Sequence, residues 1–397
     1  MTTGPQTATA ATATALDLAG QLFADAREGI AGSDSFAAHL DLASAALEFD
    51  RALGGDHGAR EAFARGMALM RGSGAVDPWL FGGAAQAGWT AIHLSGFHGG
   101  QATGLATVDN VALRWIRQYP AERNVDLPMG LLGLGVYGLA HPSEDARRTL
   151  TGAVLDALDD RLERDEHGRF LRSTPAVSTL VGPVITQRDT GVAHGNAGLV
   201  SYLASVAMSD LDLHDRARAM LSDTVEWLLR QRSDVDGSVF PQSVEHRYVP
   251  ARSAWCYGDP GIALALLVAA EATGSTEIAA VAAETARTAI EREHARARVV
   301  DACLCHGAAG LCWFARRVRD DFGLPEAEDY ARHWLDRIRE ERAAGPLHYL
   351  AHDGMRRDHS FLEGDLGVAL ALLHLATGAP PLWEERLLAV PVGARRS

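Results

Sequence analysis

The chain has 397 residues, 47% of them hydrophobic, and a formal net charge of −14 from 51 acidic and 37 basic side chains, every basic one an arginine. So large an acidic excess excludes nonspecific binding to a phosphate backbone as the main task, and nucleic acid is not expected as a partner. Four cysteines in so long a chain cannot form a disulfide scaffold.

The N-terminal run MTTGPQTATAATATA has neither a basic start nor a continuous apolar stretch, so it does not read as a secretory signal. Residues 1–14 are expected as a disordered Ala/Thr-rich tail, residues 15–390 as one domain and 391–397 as a C-terminal tail. A helical pair is expected over Ser35 to Arg71. From there on the chain repeats a Gly-x-x-Gly cassette, each copy opening an apolar run. A degenerate copy, Phe81-Gly82-Gly83-Ala84-Ala85, lacks the second spaced glycine. The full copies are Gly130-Leu-Leu-Gly133 after Asp126, His194-Gly195-Asn-Ala-Gly198, Cys256-Tyr-Gly258-Asp-Pro-Gly261, Cys305-His306-Gly307-Ala-Ala-Gly310 and Glu363-Gly364-Asp-Leu-Gly367.

First glycines of successive full copies lie 65, 63, 49 and 57 residues apart, each step enough for a helical hairpin with a variable connection. The runs after the cassettes (Leu199 to Met208, Ile262 to Ala270, Leu311 to Ala315, Val368 to Leu375) are apolar on nearly all sides and predict an inner layer. Glu144 to Glu163, His214 to Gln231, Thr276 to Arg298 and Glu326 to Arg342 are amphipathic and predict an outer one. Glycines at the helix starts are expected to let backbones approach closely and to leave N–H groups open toward the rim. Gly168 to Gly191 and Ser233 to Arg252 mix β-branched residues with Gly and Pro, which predicts short strands or long loops. The longest apolar stretches are too short to span a bilayer, so a soluble, cytoplasmic protein is expected.

A closed ring of helix pairs would bring the pre-glycine residues to one rim. Zinc favours thiolate and imidazole, and a catalytic zinc keeps one of four positions open. Cys256, Cys305 and His306 supply such a set from two successive cassettes. Two thiolates cancel the charge of the ion, which then suits activation of a substrate thiol better than hydrolysis. Cys312, inside an apolar run, is expected as a core thiol, and Cys303 is not expected as a ligand. His352 and His359, in the last polar connection, are open between substrate contact and plain exposure.

The ordered series His194-Gly-Asn-Ala-Gly, Trp255-Cys-Tyr-Gly-Asp-Pro-Gly and Cys305-His-Gly-Ala-Ala-Gly resembles the lanthionine synthetase C-like proteins, the cyclases of lantibiotic biosynthesis. The resemblance, from about Phe81 to the last cassette, implies an all-α fold, an α/α toroid of seven inner and seven outer helices, with one zinc at one end. It implies addition of peptide cysteine thiolates to dehydroalanine or dehydrobutyrine, forming lanthionine or methyllanthionine. Cys256, Cys305 and His306 match the zinc ligands, and His194 the acid/base histidine. Asp126 matches the aspartate that orients it, Arg252 a basic residue at the site's mouth and Tyr257 a supporting polar contact. Plainer readings are a capping histidine, a helix N-cap and a surface ion-pair partner for His194, Asp126 and Arg252 respectively. The implied partners are a dehydrated precursor peptide with its leader, a separate dehydratase and an exporter; the site of action would be the cytoplasm, peripheral to a membrane-associated complex. Competing readings are a glutathione-adding relative, a zinc prenyltransferase-like toroid and a metal-stabilised scaffold.

Overall fold

The computed structural model describes residues 5–173 and 186–393, with side chains from residue 12 onward. Half of the expected 168–191 connection and the end of the C-terminal tail therefore lie outside the described residues. The chain forms two compact units, one of residues 1–74 with 294–382, the other of residues 75–293 with 383–397.

The first unit holds α1 (Pro5–Ala31), α2 (Phe36–Leu53) and α3 (Ala59–Gly72). Helix α1 takes up most of the segment expected as a tail. Proline suits the first helical position and alanine is the strongest helix former, so this composition continues a helix as readily as it frays. The expected pair over 35–71 is α2 and α3, packed on each other, with Ser35 capping α2 by accepting from the Ala38 amide.

The second unit comprises α4 (Ala84–Phe97), α5 (Leu105–Arg117), α6 (Leu131–Ala140), α7 (Glu144–Asp159), α8 (Asn196–Met208), α9 (His214–Leu229), α10 (Asp259–Thr273) and α11 (Thr276–Glu291). A two-stranded hairpin, β1 (Glu163–Asp165) with β2 (Gly168–Phe170), follows α7. The first unit resumes with α12 (Ala308–Phe322), α13 (Ala327–Ala343), the hairpin of β3 (Tyr349–Ala351) and β4 (Gly354–Arg356), and α14 (Asp365–Thr377); the short α15 (Trp383–Arg386) returns to the second.

Within the second unit α4, α6, α8 and α10 pack in succession, and α5, α7, α9 and α11 each back onto the helix before them. The division of labour follows the sequence. Every residue of α6 is buried, whereas α7 buries only one stripe, through Leu150, Val154, Leu155 and Leu158. The same pairing joins α12 to α13 in the first unit, where α14 packs against α12 and α2.

The two layers start their helices differently. Outer helices α7 and α11 carry serine caps, Ser143 and Ser275. Inner helices start on glycine without a side-chain cap: Gly83, Gly130, Gly195, Gly258, Gly307 and Gly364. Their first amides are not open toward a rim, as the sequence suggested. They donate to carbonyls seven residues back: Ala84 to Asp77 at 2.8 Å, Asn196 to Asp189 at 2.9 Å, Ala308 to Asp301 and Asp365 to Asp358 at 3.0 Å. Each first turn therefore lies directly on its own leading loop. The second cassette glycine faces the carbonyl six residues earlier, and a Cβ there would sit 2.0–2.3 Å from the oxygen of Leu127, Val192, Trp255, Leu304 or Phe361. In the degenerate copy Gln86 replaces that glycine, and its Oε1 accepts from the Gly82 amide; α4 nonetheless starts at Gly83 in the same extended backbone as α6.

Candidate functional site

Neighbouring leading loops are joined edge to edge, each through an amide two or three residues before its helix-start glycine. In the second unit the Phe81 amide donates to Pro128 O (3.3 Å), Leu127 to Ala193 O (2.9 Å) and Val192 to Cys256 O (3.0 Å); in the first, Cys305 donates to Leu362 O (2.9 Å). Equivalent side chains are those at the same distance from the helix-start glycine. Cys256 and Cys305 share the position two before the helix-start glycine. Met129, His194, Tyr257, His306 and Glu363 share the next one.

His194 and Asp126 meet in the second unit. The His194 Nδ1 lies 2.9 Å from Asp126 Oδ2, and Asp126 Oδ1 accepts from the Met129 amide at 2.9 Å. Asp126 is buried and His194 keeps 32% of its side chain exposed. Asp126 thus closes its turn and holds the imidazole at the same time; it is not the N-cap of α6, which starts on Gly130 without a side-chain cap. With Nδ1–H given to the carboxylate, Nε2 is the nitrogen left to exchange a proton. Burial alone would lower the pKa of His194, but the hydrogen bond and charge of Asp126, then Cys256 and Asp189, outweigh it and raise the value above that of free imidazole.

Asp189 was not singled out in the sequence. It is buried beneath this loop, accepting from Ser173 Oγ and Gln187 Nε2, and its own pKa is pushed up to about 6, chiefly by burial. Its only sequence signal is its place six residues before Gly195, the register of Asp77, Asp301 and Asp358 in their own cassettes.

Tyr257 meets His194 ring to ring, 5.5 Å between centroids and 24° between planes. The contact between them is a stack. Arg252 is half-buried, its carbonyl pressed against Gly258, and among the described residues it forms no ion pair with a carboxylate, contrary to the surface-pair reading. Cys256 and Cys305 are buried thiols outside any disulfide, 4% and 8% exposed, and His306 is half-buried. Two thiols and an imidazole are a donor set of zinc type, and the backbone bonds of both loops hold these residues in place.

The first unit also brings together Asp301, Cys303 and His306, whose ligand atoms lie within 4.8 Å of one another. Their bonding argues for a structural role. Asp301 accepts from the amides of Cys303 and Leu350, and Cys303 Sγ accepts from the His306 amide at 3.4 Å. The carboxylate of buried Asp365 accepts from His359 Nδ1 at 2.8 Å and from Tyr349 and Arg357, so His359 belongs to a packing network. Cys312 is fully buried in α12 as a core thiol.

A family model described as "Lanthionine synthetase C-like protein" matches residues 42–388. Among solved structures, "Nisin cyclase" is similar over 94% of this chain and 96% of its own, with a TM-score of 0.70 and 16% sequence identity. That likeness bears out the all-α, toroid-type fold expected from the sequence. Among the described residues, no helix is long and apolar enough to cross a membrane.

Proposed function

Since the chain belongs to the lanthionine synthetase C-like family, we propose that it is a zinc-dependent lanthipeptide cyclase. It would add peptide cysteine sulfur to dehydroalanine or dehydrobutyrine. Cys256, Cys305 and His306 would hold one zinc, a reading supported by their donor chemistry and by the equivalent cassette positions of the two cysteines. When bound, the ion supplies acidity toward a substrate thiol, lowering its pKa so that it reacts as thiolate near neutrality.

The observation that carries the reading is the Asp126–His194 pair on the loop next to that of Cys256. Addition of sulfur to the β-carbon forms the C–S bond and moves the π electrons onto the conjugated carbonyl. The resulting enolate must gain a proton at its α-carbon, and the thiol must lose one, so the net reaction is an isomerisation. His194 Nε2 carries that proton, while Asp126 fixes the tautomer at Nδ1 and favours the protonated ring. Stacked Tyr257 holds the plane of the imidazole. Arg252, without a carboxylate partner among the described residues, stabilises negative charge on the enolate oxygen. A separate dehydratase would supply the dehydrated peptide with its leader, and an exporter would take the product.

The test is to incubate the zinc-loaded protein with a dehydrated, cysteine-containing peptide in the presence of glutathione. Loss of the alkylatable thiol at unchanged peptide mass is the expected result. Peptide heavier by one glutathione would instead identify a glutathione-adding enzyme.

A further inference from the structure

Met129 is exposed over 51% of its surface although it neighbours a buried carboxylate and follows the buried Leu127. Three bonds define its setting. Its amide donates to Asp126 Oδ1, the other oxygen of that carboxylate holds His194, and the Leu127 amide donates to Ala193 O. Met129 and His194 therefore bond to the two oxygens of one carboxylate, and each stands one residue before its helix-start glycine on two loops bonded side by side. Tyr257 occupies that position on the next loop, bonded to the other side through Val192 and Cys256, and stacks on the imidazole. His194 is thus stacked by an aromatic ring and shares its carboxylate partner with the backbone of a residue whose thioether is exposed.

Resting on the cyclase reading, we propose that Met129 is the apolar contact for the peptide residue next to the dehydroamino acid, and that it selects a bulky aliphatic neighbour over an acidic one. The shared Asp126 carboxylate places the Met129 backbone beside the proton-carrying imidazole, where the acceptor's α-carbon must come. Methionine is unbranched and polarisable, so it can adapt to several aliphatic side chains while disfavouring a desolvated carboxylate. Nothing in the fold requires this residue to be apolar, because its structural duty is discharged by its backbone amide.

Two fluorescent dehydrated peptides, differing only in leucine or aspartate before the dehydroalanine, test this by their Kd values for the zinc-loaded protein. Wild type is expected to favour the leucine peptide roughly ten-fold. Met129→Leu should keep the preference, Met129→Ala should reduce it to about two-fold or less, and Met129→Arg should reverse it. An unchanged ratio in Met129→Ala and Met129→Arg overturns the inference. Cyclisation is read separately on the same samples by loss of alkylatable thiol, so binding selectivity without ring closure would overturn the cyclase reading and leave the role of Met129 judged by the Kd ratios.

Discussion

Asp126 divides one carboxylate between two tasks, accepting from the Met129 amide with Oδ1 and bonding His194 Nδ1 with Oδ2. The turn that starts toward α6 and the orientation of the candidate proton carrier are therefore set by one side chain. Asp126→Asn keeps the shape but offers an amide N–H to one of the two partners. Cyclisation is expected to slow by about 10²- to 10⁴-fold at unchanged zinc content. A rate within two-fold of wild type would remove Asp126 from the proton transfer.

The raised pKa of His194 has a signed consequence for stability. Its folded value lies above the unfolded one, near 6.5, so the Asp126–His194 stabilisation is complete below about pH 6.5 and is lost as pH rises through the folded value. In Asp126→Ala only the opposing burial and the weaker charges remain. NMR titration of the metal-free protein should show the His194 pKa fall in this variant, and the melting temperature of wild type relative to the variant should decline with rising pH across that window. A variant pKa equal to wild type contradicts the assignment of cause.

The second cassette glycines answer to a steric demand that can be read residue by residue. A methyl group at Gly198 would meet Val192 O at 2.1 Å, and that carbonyl belongs to a loop bonded on both sides. Gly198→Ala should destabilise by about 1–3 kcal/mol or more. Gly20 in α1 has nothing within 4 Å of its Cβ position, and Gly20→Ala should be neutral or stabilise by roughly 0.5–1 kcal/mol. Paired thermal melts check both signs.

Burial pushes the Cys312 thiol well above the usual thiol range, and the residue is fully enclosed in α12. Iodoacetamide should leave Cys312 unmodified in the native protein and label it after unfolding, as peptide mass mapping would show. Native labelling of Cys312 would mean that α12 opens readily.

Much of this was legible in the sequence because the cassette couples fold to chemistry. The apolar runs of α8, α10, α12 and α14 announced buried helices, and the amphipathic segments announced their partners. The site residues stood out because Cys256, Cys305 and His194 keep fixed offsets from glycines whose positions are dictated by backbone contact. What could not be read was which groups those glycines face. The amides of Asn196 and Ala308 looked like open donors, but only the three-dimensional path of the loops shows the Asp189 and Asp301 carbonyls lying on them. The stacking of Tyr257 on His194 was hidden because it depends on loops about 60 residues apart lying side by side.

Zinc stoichiometry is the most direct measurement, because the proposed chemistry requires a thiophilic metal held by Cys256, Cys305 and His306. Elemental analysis of purified protein should give one zinc per chain in wild type and in Cys303→Ala, and well below one in Cys256→Ala and in Cys305→Ala. Full zinc content in Cys256→Ala together with loss in Cys303→Ala would assign the metal to Asp301, Cys303 and His306 and contradict the proposed centre.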